Sequence, residues 1–105
     1  MSMTVVVTRN APKRYRGFLA SCMLELAPGV YTSPHMRRAV RERVWAVCCE
    51  WAGMLPDDSG ILMTWREKHE PSGQAVITLG WPKKELAELD GMWLDRCEDS
   101  SLTTE

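Results

Sequence analysis

The chain has 105 residues, 45% apolar and 26% charged, which suits one domain with a single modest core. No apolar run approaches the roughly 20 residues of a membrane helix, and residues 5–7 are too short for a signal-peptide core, so a cytoplasmic protein is expected. The net charge of −1 hides a division: residues 1–43 sum to +6, with only Glu25 and Glu42 acidic, and residues 44–105 sum to −7, so the front half suits a polyanion.

In chain order, Thr4-Val5-Val6-Val7-Thr8 is β-branched throughout and predicts a strand. Asn10 and Pro12 mark the switch to a helix, Asn as a cap and Pro in the first turn. Tyr15, Phe18, Leu19, Cys22, Met23 and Leu26 recur at helical period and form one apolar stripe. Lys13, Arg14 and Arg16 fall in the first turns, where the helix dipole is already positive. Folding alone favours acids there. Cations plus free N–H groups suit a phosphate, although a solvated basic turn is the plainer alternative.

Leu24 to Thr32 reads as a brief strand, a Pro28-Gly29 turn and a second strand at Val30-Tyr31-Thr32. Ser33-Pro34 then looks like a helix start, with the helix running to about Ala52 and Gly53 as its stop. Its expected buried stripe is Met36, Val40, Val44, Val47, Cys48 and Trp51. Arg38 pairs with Glu42 at i, i+4, whereas Arg37 and Arg41 have no acid at that spacing and are candidates for an external anion.

Leu55 to Gly60 is a loop by composition, followed by a strand at Ile61 to Trp65. Glu67 to Gly73 makes a hairpin loop, and Gln74 to Trp81 returns as a strand, with Ala75, Ile77, Leu79 and Trp81 on one side. Pro82 ends it, and Lys83 and Lys84 follow. Glu85 to Gly91 reads as an acidic connector and Met92-Trp93-Leu94 as a last short strand. Residues 95–105 read as an acidic, disordered tail to a single domain at 1–94.

The four cysteines (Cys22, Cys48, Cys49, Cys97) include no CxxC pair, and His35 and His69 give no zinc spacing. Cys22 and Cys48 fall on apolar stripes and are expected as core thiols. No metal or cofactor and no catalytic residue is expected. The absence of a Gly-rich phosphate loop weighs against a small nucleotide-binding module.

The element order β-α-β-β-α-β-β, with a further C-terminal strand, predicts an α+β, ferredoxin-like βαββαβ fold. Val5, Val6 and Val7 make the first strand apolar on both sides, and Val76 adds to the side away from Ala75 and Ile77. A two-sided apolar sheet in so small a chain predicts a homodimer that buries the second face.

MSMTVVVTRNAPKRYRGFLA, LELAPGVYTS, VRERVW and ITLGWPKKELAELDG together resemble the type I-E form of the CRISPR-associated Cas two family, in order from Met1 to about Leu94. The resemblance implies a homodimeric scaffold between dimers of the Cas one integrase, binding double-stranded DNA during spacer acquisition. It implies backbone contacts from Arg14 and Arg16, and from the basic pair Lys83 and Lys84. Lys13, Arg37 and Arg41 join these on the charge argument. The alternative is a metal-dependent endonuclease acting on RNA or DNA. Many relatives carry an acidic residue just after the first strand, to hold a divalent metal. Arg9 stands there, and an arginine cannot ligate Mg²⁺, which wants oxygen ligands. Relatives also engage the integrase through the C-terminal strand, which here runs into Asp95-Arg96-Cys97-Glu98-Asp99.

Overall fold

The computed structural model describes residues 2–80, 85–89 and 92–96, with side chains from 3 to 80. The elements are β1 (Ser2–Arg9), α1 (Lys13–Cys22), β2 (Leu24–Ala27), β3 (Val30–Met36), α2 (Arg38–Glu50), a 3-10 turn (Ala52–Met54), β4 (Gly60–Arg66), β5 (Gln74–Leu79), β6 (Glu85–Leu89) and β7 (Met92–Arg96). Five strands form an antiparallel sheet in the order β2-β3-β1-β4-β5, and β6 pairs with β7. Inserting β3 between β1 and β2 gives the split βαβ arrangement, so the fold is α+β and ferredoxin-like.

Strand register fixes which side chains meet the helices. Val6 lies opposite Tyr31 on one side and Met63 on the other, and Met63 lies opposite Ile77. Val6, Tyr31 and Met63 are fully buried against Tyr15 and Leu19 of α1 and Val44 and Cys48 of α2. Each fully buried side chain of this size contributes about 1.5–3 kcal/mol of transfer free energy. Val5, Val7, Leu62, Thr64 and Val76 alternate onto the opposite sheet face, which neither helix covers, and are only half-buried.

Several boundaries differ from the sequence reading. Ser33-Pro34 does not start a helix, because β3 continues through it to Met36. The register with β1 slips between Ser2 and Thr4, opposite this stretch, and β2 pairs no further along β3 than Thr32. Proline is tolerated at such a bulge on a strand with a free side. The second helix therefore begins at Arg38 and ends at Glu50, and Gly53 lies within the 3-10 turn rather than stopping the helix.

At the first helix, Asn10 is not the cap. It adopts φ 55°, and the N-cap is Pro12, with no side-chain cap hydrogen bond. The helix ends at Cys22, so Leu26 belongs to the exposed strand β2 rather than to the helical stripe. Cys48 is a core thiol as expected, but Cys22 is exposed, because the inward face of so short a helix narrows to Tyr15 and Leu19.

The return strand stops at Leu79, before Trp81, because Gly80 turns left-handed at φ 72°. A Cβ at Gly80 would lie 2.9 Å from the Ser59 carbonyl oxygen, so only glycine fits without a shift. Trp81 and Pro82 lie outside the described residues. Glu85–Leu89 is a strand rather than a connector, with Leu89 opposite Met92. Asp90-Gly91 between the two strands is a strong hairpin signal that acidic composition masked. β7 extends past Leu94 to Arg96, and the expected disorder of residues 97–105 lies outside the described residues.

Tyr15 ties the two helices together. Its hydroxyl donates to the Cys48 carbonyl at 2.8 Å. Burial pushes both the Tyr15 phenol and the Cys48 thiol up to about 12. Both groups hold their proton more tightly folded than unfolded. Their contribution is therefore complete below the ordinary thiol value of 9.0 and is lost as pH rises toward about 12. We expect Tyr15→Phe to cost about 1 kcal/mol in urea unfolding at pH 7. The variant should also lose less stability than wild type between pH 9 and 11, and equal losses would show that the phenol does not titrate on unfolding.

Candidate nucleic-acid interface

The N-terminus of α1 is built as a bare positive end. Pro12 supplies no side-chain acceptor, and no acidic residue lies in the first turn. The Tyr15 and Arg16 N–H groups return to the Pro12 carbonyl at 3.0 and 3.4 Å. The N–H groups of Lys13 and Arg14 precede any helical partner and stay free for an anion. Lys13, Arg14 and Arg16 are all exposed.

Arg14 is held in place. Its guanidinium carbon lies 4.2 Å from the centroid of the Trp51 ring. Trp51 in turn meets the Tyr15 ring edge-on at 5.5 Å and the Phe18 ring edge-on at 5.6 Å. The residue just past α2 thus orients a cation on α1. Such stacking orders Arg14 and leaves its N–H edges free. The sequence reading placed Trp51 on the buried stripe but missed this role, because the two residues are far apart in the chain.

The end of β1 lies beside this turn. Arg9 pairs with Gly60 at the start of β4. The Asn10 side-chain amide donates to both oxygens of Asp58 at 3.1 Å. That contact explains the left-handed backbone of Asn10, a residue type that tolerates it. It also brings one carboxylate to the strand end where the sequence offers only Arg9. A hard divalent cation takes six or more oxygen ligands. A single carboxylate held by an amide, with Arg9 next in the chain, fits such an ion poorly. Among the described residues, no three His, Cys, Asp or Glu side chains gather as a metal group.

The other candidate cations separate. The end of β5 lies on the same sheet margin as the end of β1, since Leu79 pairs with Ile61 and Ile61 pairs with Thr8. Two strand spacings, about 10 Å, divide them. Lys83 and Lys84 follow this margin in sequence but lie outside the described residues. Arg37 is the exposed N-cap of α2. The contact of Tyr15 with Cys48 sets the start of α1 against the end of α2. Arg37 therefore sits at the far end of a 13-residue helix, about 20 Å away. Arg41 turns inward and is 7% exposed, with its guanidinium 4.2 Å above the Trp65 ring. Arg38 pairs with Glu42 at 2.9 Å, as expected from spacing.

Among the described residues, no helix is long and apolar enough to cross a membrane. A family model described as CRISPR-associated protein (Cas_Cas2CT1978) matches residues 3–94.

Proposed function

The chain belongs to the CRISPR-associated family whose model covers it, and on that premise we propose a type I-E Cas two scaffold for CRISPR adaptation. In this reading a cytoplasmic homodimer binds the backbone of captured double-stranded DNA and bridges dimers of the Cas one integrase. The observation that carries it is the uncapped, acid-free start of α1 bearing Lys13, Arg14 and Arg16. Three cations against a helix dipole weaken the isolated fold, and a phosphate relieves that repulsion. Lys83 and Lys84, which follow β5 in sequence, supply further phosphate contacts in this proposal. Arg37 serves as a separate, more distant contact, and Arg41 is left to its ring partner.

The dimer rests on the uncovered sheet face. Val5, Val7, Leu62 and Val76 lie there, and the exposed Leu24 of β2 joins them opposite Thr32. A second copy laid on this face removes that apolar surface from water. The integrase is met in this proposal through the C-terminal strand, as resemblance to the family implies.

Binding of this kind reads phosphates rather than bases, so it is insensitive to sequence and sensitive to salt. Arg16→Ala should weaken binding to two unrelated duplexes alike and reduce the slope of log K against log salt by about one unit. An unchanged slope, or a loss on one duplex alone, would remove the phosphate track. Sedimentation equilibrium at micromolar concentration should give twice the 11.9 kDa chain mass, and a monomer would end the dimeric reading.

The endonuclease alternative draws on one observation, the Asp58 carboxylate at the end of β1. Purified protein should leave DNA and RNA intact in Mg²⁺. Cleavage that is abolished by Asp58→Asn would reverse the choice between scaffold and nuclease.

A further inference from the structure

The Arg41 guanidinium has no hydrogen-bond partner within the described residues, and the DNA reading does not use it. It is 7% exposed, yet its guanidinium donates to no carboxylate within salt-bridge distance among the described residues. Its carbon lies over the Trp65 ring, which satisfies the cation's face and none of its N–H donors. Its donors are not among the buried unpartnered atoms of the described residues, so they reach solvent and stay available to a ligand.

Those donors open onto space. Arg41 lines a cavity of about 490 Å³ between α2 and the β4–β5 hairpin. Trp45, Trp65, Ala75 and Ile77 supply its apolar wall. Arg41 also borders an adjoining cavity of about 420 Å³, to which Arg66 and Lys68 contribute.

Two of the three acids that line the cavity already have partners. Glu42 accepts from Arg38 at 2.9 Å. Glu67 accepts from the Trp65 indole N–H at 3.3 Å and from the His69 backbone, which hold its carboxyl below the usual range. Arg41 is the guanidinium in this cavity without a hydrogen-bonded carboxylate among the described residues, since Arg38 donates to Glu42.

We propose that this cavity docks a segment of a partner protein in which a carboxylate side chain lies beside an apolar one. The carboxylate meets the planar fork of Arg41 two bonds at a time, and the apolar neighbour packs on Trp45 and Ile77. A nucleic-acid strand suits the site less well. Glu42, Glu67 and Glu70 on the rim repel a continuous phosphate backbone, whereas one carboxylate can be steered past them. Glu67 lies close enough to affect Arg41 electrostatically, so it competes with the incoming carboxylate.

The test follows the tryptophan indole N–H resonances of the full chain during titration with acetyl-Gly-Leu-Asp-Leu-Gly-amide. Three comparison probes are the same peptide with Asn for Asp, the same peptide with Ser for both Leu, and inorganic phosphate. The Leu-Asp-Leu peptide should bind saturably, and each comparison peptide at least tenfold more weakly. Phosphate should not compete. Arg41→Gln should abolish the preference for Asp over Asn. Glu67→Gln keeps an acceptor for the Trp65 indole and should tighten the Leu-Asp-Leu peptide several-fold. This second variant decides the matter if Arg41→Gln does not fold. Equal affinity for the Asp and Asn peptides, no binding by wild type and Glu67→Gln, or displacement by phosphate would each overturn the proposal. Duplex binding measured on the same samples stands apart, because Arg16 lies outside this cavity.

Discussion

The aromatic contact between the start of α1 and the end of α2 is the constraint on which the candidate interface depends. Trp51 meets Tyr15, Phe18 and Arg14 at once, while the Tyr15 hydroxyl caps the Cys48 carbonyl. A helix C-terminus leaves carbonyls without intrahelical partners. The Cys48 carbonyl accepts from the Trp51 N–H at 3.3 Å and from the Tyr15 hydroxyl of the neighbouring helix, so a bond at the end of α2 also fixes the position of α1. The basic turn is oriented as a by-product of core packing. Its cations need no acidic neighbours to hold them, and Arg14 keeps its hydrogen-bonding edges free.

The fold was largely legible because its signals are local. Strand β1 is written in consecutive β-branched residues, α1 in a helical stripe, and the β4–β5 hairpin in alternation around a polar loop. Boundaries were less so, because they depend on partners. Ser33-Pro34 carries every local mark of a helix start, yet β1 is present to pair with it and a bulge accommodates the proline. Local propensity and tertiary pairing competed there, and pairing won. Asn10 behaves similarly: its side chain is committed to Asp58, 48 residues away, rather than to the next helix.

The candidate site was legible in its charge and not in its geometry. Spacing showed that Lys13, Arg14 and Arg16 share a helix start without acids, and the structure keeps all three exposed. Spacing also grouped Arg37 with Arg41, because both lack an acid at i, i+4. The partner of Arg41 is a ring on a strand, Trp65, which helical spacing cannot reveal. Arg38 shows the converse, since its partner Glu42 lies on its own helix and was readable at once.

The two stacked arginines illustrate how burial divides one chemistry into two roles. Arg14 and Arg41 each lie 4.2 Å from a tryptophan ring. Arg14 is exposed, so water fills its donors until an anion displaces it, and exchanging one for the other is cheap. Such a contact is weak individually, salt-sensitive and suited to repetition along a phosphate backbone. Arg41 is 7% exposed and lines a cavity with an apolar wall, so the proposed ligand must match both the fork and that wall. Screening by salt reaches it far less. The same residue type over the same kind of ring is therefore exposed and exchangeable at one end of the helix layer, as the proposed phosphate contacts require. At the other end it is largely buried beside an apolar wall, as the proposed docking of a carboxylate requires.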